Sequence, residues 1–350
     1  MPSPTTVNRS LAVSRLTALW ALTEAGLGGV LHAFRTPFTG IFVGGIAVVL
    51  IVLIGSFSEN KSQSILRSLL IVLMVKAAVS PHSPPPAYLA VSFQALMGAL
   101  LFTIFSNVRL ISILLGMLAL AESAGQKILT LTILFGESIW DAIDTFVEYT
   151  QTQLGVESSS DGGTWVALTY VAMYMLVGTL IGWWAGKLPD RISILLQKWK
   201  APSVSELDPS PVQDTTPGFL RRWWKRGRYA VLILLLFLVS IWGIRDEALL
   251  DPIVLILRAL CVIVLWYGIV SPIIIELIRG FLSKRKRGSE TELAQVMTLL
   301  PHLKGVSKIA WEESHQQTGL RRFTEFISRM VVYSISLEIE ETPHKIDHTH

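Results

Sequence analysis

Residues 41–57 read IFVGGIAVVLIVLIGSF, with no charged residue anywhere in the run. A helix needs about 20 mostly apolar residues to cross a hydrocarbon core roughly 30 Å thick. Further runs of this kind fall at about 16–33, 65–80, 87–105, 108–123, 165–186, 229–244 and 252–278, which gives eight expected spans. The composition agrees. Of 350 residues, 51% are hydrophobic and 16% are charged, and mean hydropathy is +0.52. Soluble domains carry about a quarter charged residues. A soluble enzyme is therefore excluded. The first run is not read as a cleaved signal peptide, because it lacks a small-residue cleavage site and continues into Glu24 and His32. Cys261 is the single cysteine, so no intrachain disulfide forms.

The basic residues cluster, and the clusters set an orientation. Lys187 to Arg228 contains Arg191, Lys198, Lys200, Arg221, Arg222, Lys225 and Arg226, and Lys284 to Arg287 is an unbroken basic run. Both belong on the cytoplasmic side by the positive-inside rule. Tyr149 to Trp165 has no Lys or Arg and belongs outside. The span count then puts the N-terminus with Arg9 and Arg15 inside, together with the turns holding Lys61 and Arg109. Membrane flanking accounts for the net charge of +4, and nucleic acid is not an expected partner.

The sequence thus predicts an all-α, polytopic membrane helix bundle. Residues 1–186 form a six-helix membrane domain, 187–228 a basic and Pro/Ser-containing cytoplasmic linker, 229–282 a two-helix membrane segment, and 283–350 a cytoplasmic helical tail. In the tail, Ser289 and Glu292 have capping-box spacing ahead of an apolar pattern. The hydrophobic faces of its helices need the membrane, each other or a partner to cover them.

Candidate functional residues are few. Ala21, Ala25 and Gly29 recur every four residues in the first span. Small residues at that spacing let another helix come close, either from this chain or from a partner subunit. Lys76 ends the third span, just before a Pro-rich loop that contains His82. Its ammonium either snorkels to the headgroups or serves a ligand. Gln94 lies within the next span and needs a polar partner. Glu122, Gln126 and Lys127 surround Gly125, and an ionisable group at membrane depth is a functional candidate. A Glu122–Lys127 ion pair would account for both charges. Glu137, Asp141, Asp144 and Glu148 line one face of a helix expected to lie at the outer interface, either as a solvated stripe or as a cation site. No phosphate-binding loop, zinc pattern or catalytic triad is present, so neither catalysis, a metal nor a cofactor is expected. Any ATPase that drives this protein is another chain.

Residues 16–186 resemble the substrate-binding, or S, component of energy-coupling factor (ECF) vitamin transporters. The resemblance rests on six spans with both ends inside, on Ala21-x-x-x-Ala25, on the loop Pro37-Phe38-Thr39-Gly40 and on the Pro-rich loop after the third span. Residues 218–336 resemble, faintly, a shortened coupling component, without its paired Ala-Arg-Gly signatures. The resemblance implies a subunit of the bacterial cytoplasmic (inner) membrane that captures a small-molecule substrate and works with coupling and ATPase subunits. It implies docking through Ala21, Ala25 and Gly29, and a ligand enclosed by outer loops holding Phe38, His82 and Lys127. Lys76, Gln94, Glu122 and Gln126 complete the candidate set. The alternative is a membrane anchor or scaffold acting through its C-terminal helices.

Overall fold

The computed structural model of the chain describes residues 9–27, 39–80, 83–155, 161–203, 207, 260, 262–263, 265–286 and 289–337. Among these the fold is all-helical. Helix α1 runs Arg9–Leu22 and continues as a π-helical turn, Thr23–Leu27. Then come α2 (Thr39–Phe57), α3 (Lys61–Val79), α4 (Pro85–Ile104), α5 (Val108–Phe135), α6 (Ser138–Gln153), α7 (Gly162–Ala185) and α8 (Leu188–Lys198). Further on lie α9 (Ser271–Lys286), α10 (Glu290–Glu313) and α11 (Gly319–Ser336).

Five of these helices, α2, α3, α4, α5 and α7, are long and apolar enough to cross a membrane. Their outward faces support that reading. Leu89, Leu96, Leu100 and Ile104 make an exposed apolar stripe along α4, and Leu168, Leu176 and Leu180 do the same on α7. A water-soluble surface rarely carries such patches. Exposed Trp165 and Trp183 sit near the two ends of α7. They are about 27 Å apart along the helix axis, which matches aromatic belts on either side of a hydrocarbon core. The run expected at 229–244 lies outside the described residues, as does much of 252–278.

One boundary differs from the sequence reading. The fifth candidate span does not end near residue 123. Helix α5 continues to Phe135 because Gly125 alone does not break a helix, and the chain turns only at Gly136, where φ is 68° and the backbone N–H bonds the Thr132 carbonyl. Residues 137–153 then form the separate amphipathic helix α6 against α7, with no buried residue. Of its acidic stripe, Asp144 is engaged, accepting a hydrogen bond from the Gly163 N–H.

Helix α1 is enclosed by α2, α3, α10 and α11. Arg15 to Ala21 are all buried, the Arg15 guanidinium and the Thr17 hydroxyl among them. Ala21 and Ala25 are therefore used for packing inside this chain, while Gly29 lies outside the described residues. Helices α10 and α11 are not detached from the bundle. Ile327, Met330 and Val331 of α11 are buried, and Arg329 ties α11 to its surroundings. The guanidinium bonds Glu325 at 2.9 Å and Glu313 of α10, and lies 4.5 Å from the ring of Trp199, just beyond α8. Burial and a hydrogen bond to Glu313 hold the Tyr333 hydroxyl above its ordinary pKa. Helix α9 packs on α3 and α4, with Arg279 close enough to Tyr88 to act on it electrostatically.

The closest helix pair is α5 with α7. A side chain at Gly116 would strike the Gly178 carbonyl, and one at Gly182 would strike the Ser112 carbonyl. Gly178, Gly182 and Gly186 share one face of α7 at four-residue spacing, so the two backbones touch. Replacing Gly182 with Leu should lower the unfolding temperature in detergent by an amount equivalent to at least about 2 kcal/mol, since overpacking a close interface forces the backbones apart. Gly125→Ala, where nothing lies within 4 Å, should leave stability unchanged or slightly raised.

Candidate functional site

Helices α1 and α3 run parallel, both starting at the end of the bundle that carries Arg9, Lys61, Arg109 and Lys187. Two polar contacts join them. Thr17 and Ser68 share a hydroxyl hydrogen bond of 2.7 Å. Farther along, the Lys76 ammonium donates to the Glu24 carboxylate at 2.7 Å. Both side chains of this ion pair are almost wholly buried, at 3% and 2% exposure. Lys76 therefore turns inward instead of snorkelling. Its ammonium also stands 5.9 Å from the centre of the Tyr88 ring, and the buried indole N–H of Trp20 approaches Glu24 without reaching hydrogen-bond geometry.

A second polar group adjoins the first through the opening turn of α4. Glu122 accepts a hydrogen bond from the Gln126 amide, which also donates to the Pro86 carbonyl at 3.3 Å. Gln94 is buried on α4, and its amide nitrogen sits 3.3 Å from where a side chain on Gly44 of α2 would begin. Ser123 of α5 flanks the same point. Gly44 thus leaves the room in which a glutamine fits between α2 and α5. Glu24, Lys76, Pro86, Tyr88 and Gln126 lie toward the end of the bundle away from Lys61 and Arg109, and Gln94 sits midway along α4.

Several polar atoms here lack a protein partner. The Tyr88 hydroxyl, Gln94 Oε1 and Glu122 Oε2 are buried without a hydrogen bond. An unmatched polar atom costs about 1–3 kcal/mol, and Arg15 Nε and Nη1 and Trp20 Nε1 on α1 are likewise buried without a hydrogen bond.

The structure thus joins Glu122 to Gln126, seats Gln94 against Gly44 beside Ser123, and pairs Lys76 with Glu24. It does not add Lys127, which is exposed on α5, so the Glu122–Lys127 ion pair is not formed. His82 and Phe38 lie outside the described residues. In the sequence Glu24 stands out only as a charge interrupting the first apolar run, and its pairing with Lys76 was missed. A signal was present. Glu24 and Lys76 each lie fifteen residues beyond the first residue of their helix, so two parallel helices starting at the same level put the pair at equal depth, about 22 Å in.

Breaking one half of a buried ion pair strands the other charge, at about 3–5 kcal/mol, whereas replacing both with apolar or neutral groups of similar volume is close to neutral. Lys76→Met should therefore destabilise the purified protein severely in thermal unfolding, and Glu24→Gln somewhat less. The double variant Glu24→Gln/Lys76→Met should recover most of the loss. Additive losses in the double variant would show that the two side chains do not interact.

Comparison with protein-family models, with curated proteins and with solved structures finds no match to this chain, so the functional reading rests on the geometry of the buried polar cluster.

Proposed function

We propose that the protein is a membrane-embedded capture protein for a small polar metabolite. The ligand binds at the end of the bundle where Tyr88, Gln94 and Glu122 meet beside the Glu24–Lys76 pair. The observation that carries this reading is the set of unpartnered buried atoms on Tyr88, Gln94 and Glu122. Gln94 Oε1 and Glu122 Oε2 are acceptors, and the Tyr88 hydroxyl both donates and accepts. The preferred ligand is therefore rich in N–H or O–H donors. Because Glu24 neutralises Lys76, the lysine is not the group that recognises an anion.

The further assignment, to a substrate-binding subunit of an importer powered by separate ATPase subunits, rests on the resemblance of residues 16–186 to ECF S components. This reading has eight spans, with the end carrying Arg9, Lys61, Arg109 and Lys187 facing the cytoplasm of a bacterium. The anchor alternative is weaker, because the apolar faces it would offer on α10 and α11 are occupied within the chain.

The test is gentle detergent purification of the intact protein from its native membrane, with mass spectrometry of what accompanies it. A stoichiometric small polar metabolite and ATPase subunits are the expected companions. Gln94→Ala and Glu122→Ala should each lower metabolite retention roughly tenfold, and Lys127→Ala should leave it unchanged. Retention undiminished in both site variants would overturn the capture site, and reproducible absence of any ATPase would overturn the importer assignment alone.

A further inference from the structure

The opposite end of the bundle holds a separate cavity, of about 510 Å³, that the capture site does not use. It opens where three connections meet, between α2 and α3, α4 and α5, and α7 and α8. Lys61 at the start of α3 and Arg109 at the start of α5 both line it, and Asp190 of α8 stands on another wall. Among the described residues none of these three charges forms an ion pair. The Lys61 ammonium stands 5.7 Å from the centre of the Phe102 ring.

The backbone that carries Arg109 is held in position. The Asn107 side chain accepts from the backbone N–H of Arg109 at 3.0 Å and of Leu110 at 3.4 Å, which fixes the first turn of α5 at the cavity rim. On the other side, a side chain at Gly186 would begin 3.0 Å from the Arg109 Cα. The absence of one leaves α7 against α5 and the cavity open between them.

The level of the cavity is marked independently. Lys187, next to Gly186, places its ammonium 3.2 Å from the ring centre of exposed Trp183. A tryptophan paired with a lysine at a helix end belongs at the headgroup region. Ile104 at the last turn of α4 and Leu180 near the end of α7 are exposed apolar residues toward the same end of the bundle.

We propose that this cavity is a phospholipid headgroup site. The phosphodiester sits between Lys61 and Arg109, where charge-assisted hydrogen bonds are strongest. A headgroup amine or hydroxyl donates to Asp190, and the acyl chains run along the apolar surface past Ile104 and Leu180. Free inorganic phosphate shares the phosphate chemistry. It offers Asp190 no donor beyond its own acidic hydroxyl, and it brings no acyl chain to the surface beside the cavity. Basic pockets between membrane helices bind lipid headgroups in this manner.

The test uses the intact, delipidated protein in detergent, titrated with phosphatidylethanolamine, phosphatidylglycerol, phosphatidylcholine or inorganic phosphate. Bound lipid is read by native mass spectrometry and stabilisation by thermal unfolding. The two lipids with donor-bearing headgroups should be retained and should raise the unfolding temperature. Phosphatidylcholine should bind more weakly, and inorganic phosphate alone should do neither. Lys61→Gln/Arg109→Gln should weaken lipid binding by roughly tenfold or more, and the charge-conserving Lys61→Arg/Arg109→Lys should keep it. Asp190→Asn should remove the preference over phosphatidylcholine. If the double neutral variant does not purify as a single species, each single Gln variant gives the same reading. Unchanged lipid retention in the neutral variants would overturn the site. Equal stabilisation by inorganic phosphate would overturn the lipid assignment.

Discussion

In hydrocarbon, apolar side chains gain nothing by leaving lipid for one another, so a membrane bundle is held by close contact and by polar groups with nowhere else to go. Helix α1 depends on that constraint more than any other element. Its neighbours enclose it on all sides, and it is registered against α3 by Thr17–Ser68 and Glu24–Lys76. A one-residue slip would part both contacts together. The ion pair is a weak source of net stability, because taking two charges out of water costs about as much as their attraction returns. Its effect is to forbid alternatives, since any other rotation of α1 leaves a bare charge in an apolar interior.

The second device is the glycine face of α7. Gly178, Gly182 and Gly186 bring its backbone onto that of α5, and dispersion over such a contact replaces the hydrophobic effect that a soluble core would use. The consequence is geometric. Helices α5 and α7 form a stiff hairpin, and α5 continues for two turns beyond the level where Gln126 meets Pro86 at the start of α4. Helix α6 closes the top of that hairpin through Asp144 and Gly163. The polar cluster lies at the foot of this extension, between α4, α5 and α2.

Much of the fold was legible because apolar runs and basic turns are strong signals. The helices at 39–57, 61–79, 85–104 and 162–185 lie where hydropathy puts them. The end of α5 was not legible, since Glu122, Gln126 and Lys127 look like the edge of a span when read in one dimension. In three dimensions Glu122 and Gln126 satisfy one another across one helical turn, and Lys127 points elsewhere. The Gly178–Gly186 face was also missed, because glycines at four-residue spacing in an apolar run do not say which helix they touch. Of the candidate site, Gln94, Glu122 and Gln126 were visible as polar residues in apolar runs. Their grouping was not, because it depends on which helices touch, and a single sequence carries no such pairing.

The two ends of the bundle differ in how they treat charge, and that difference bears on what each can bind. At the polar cluster the cation and the carboxylate cancel at 2.7 Å. What remains exposed to a ligand is a set of neutral or acceptor groups, which discriminate by hydrogen bonding. Unmatched buried acceptors penalise a ligand lacking the right donors far more than an apolar wall penalises a misfit of shape. At the other end Lys61, Arg109 and Asp190 line one open cavity without an ion pair among the described residues. There screening keeps each interaction modest, and selectivity follows from charge and reach. Glu24 and Lys76 are paired in the apolar interior, Glu122 there has the Gln126 amide, and Lys61, Arg109 and Asp190 stand unpaired at the other end, so the two proposed sites would select by hydrogen bonding at one end and by charge at the other.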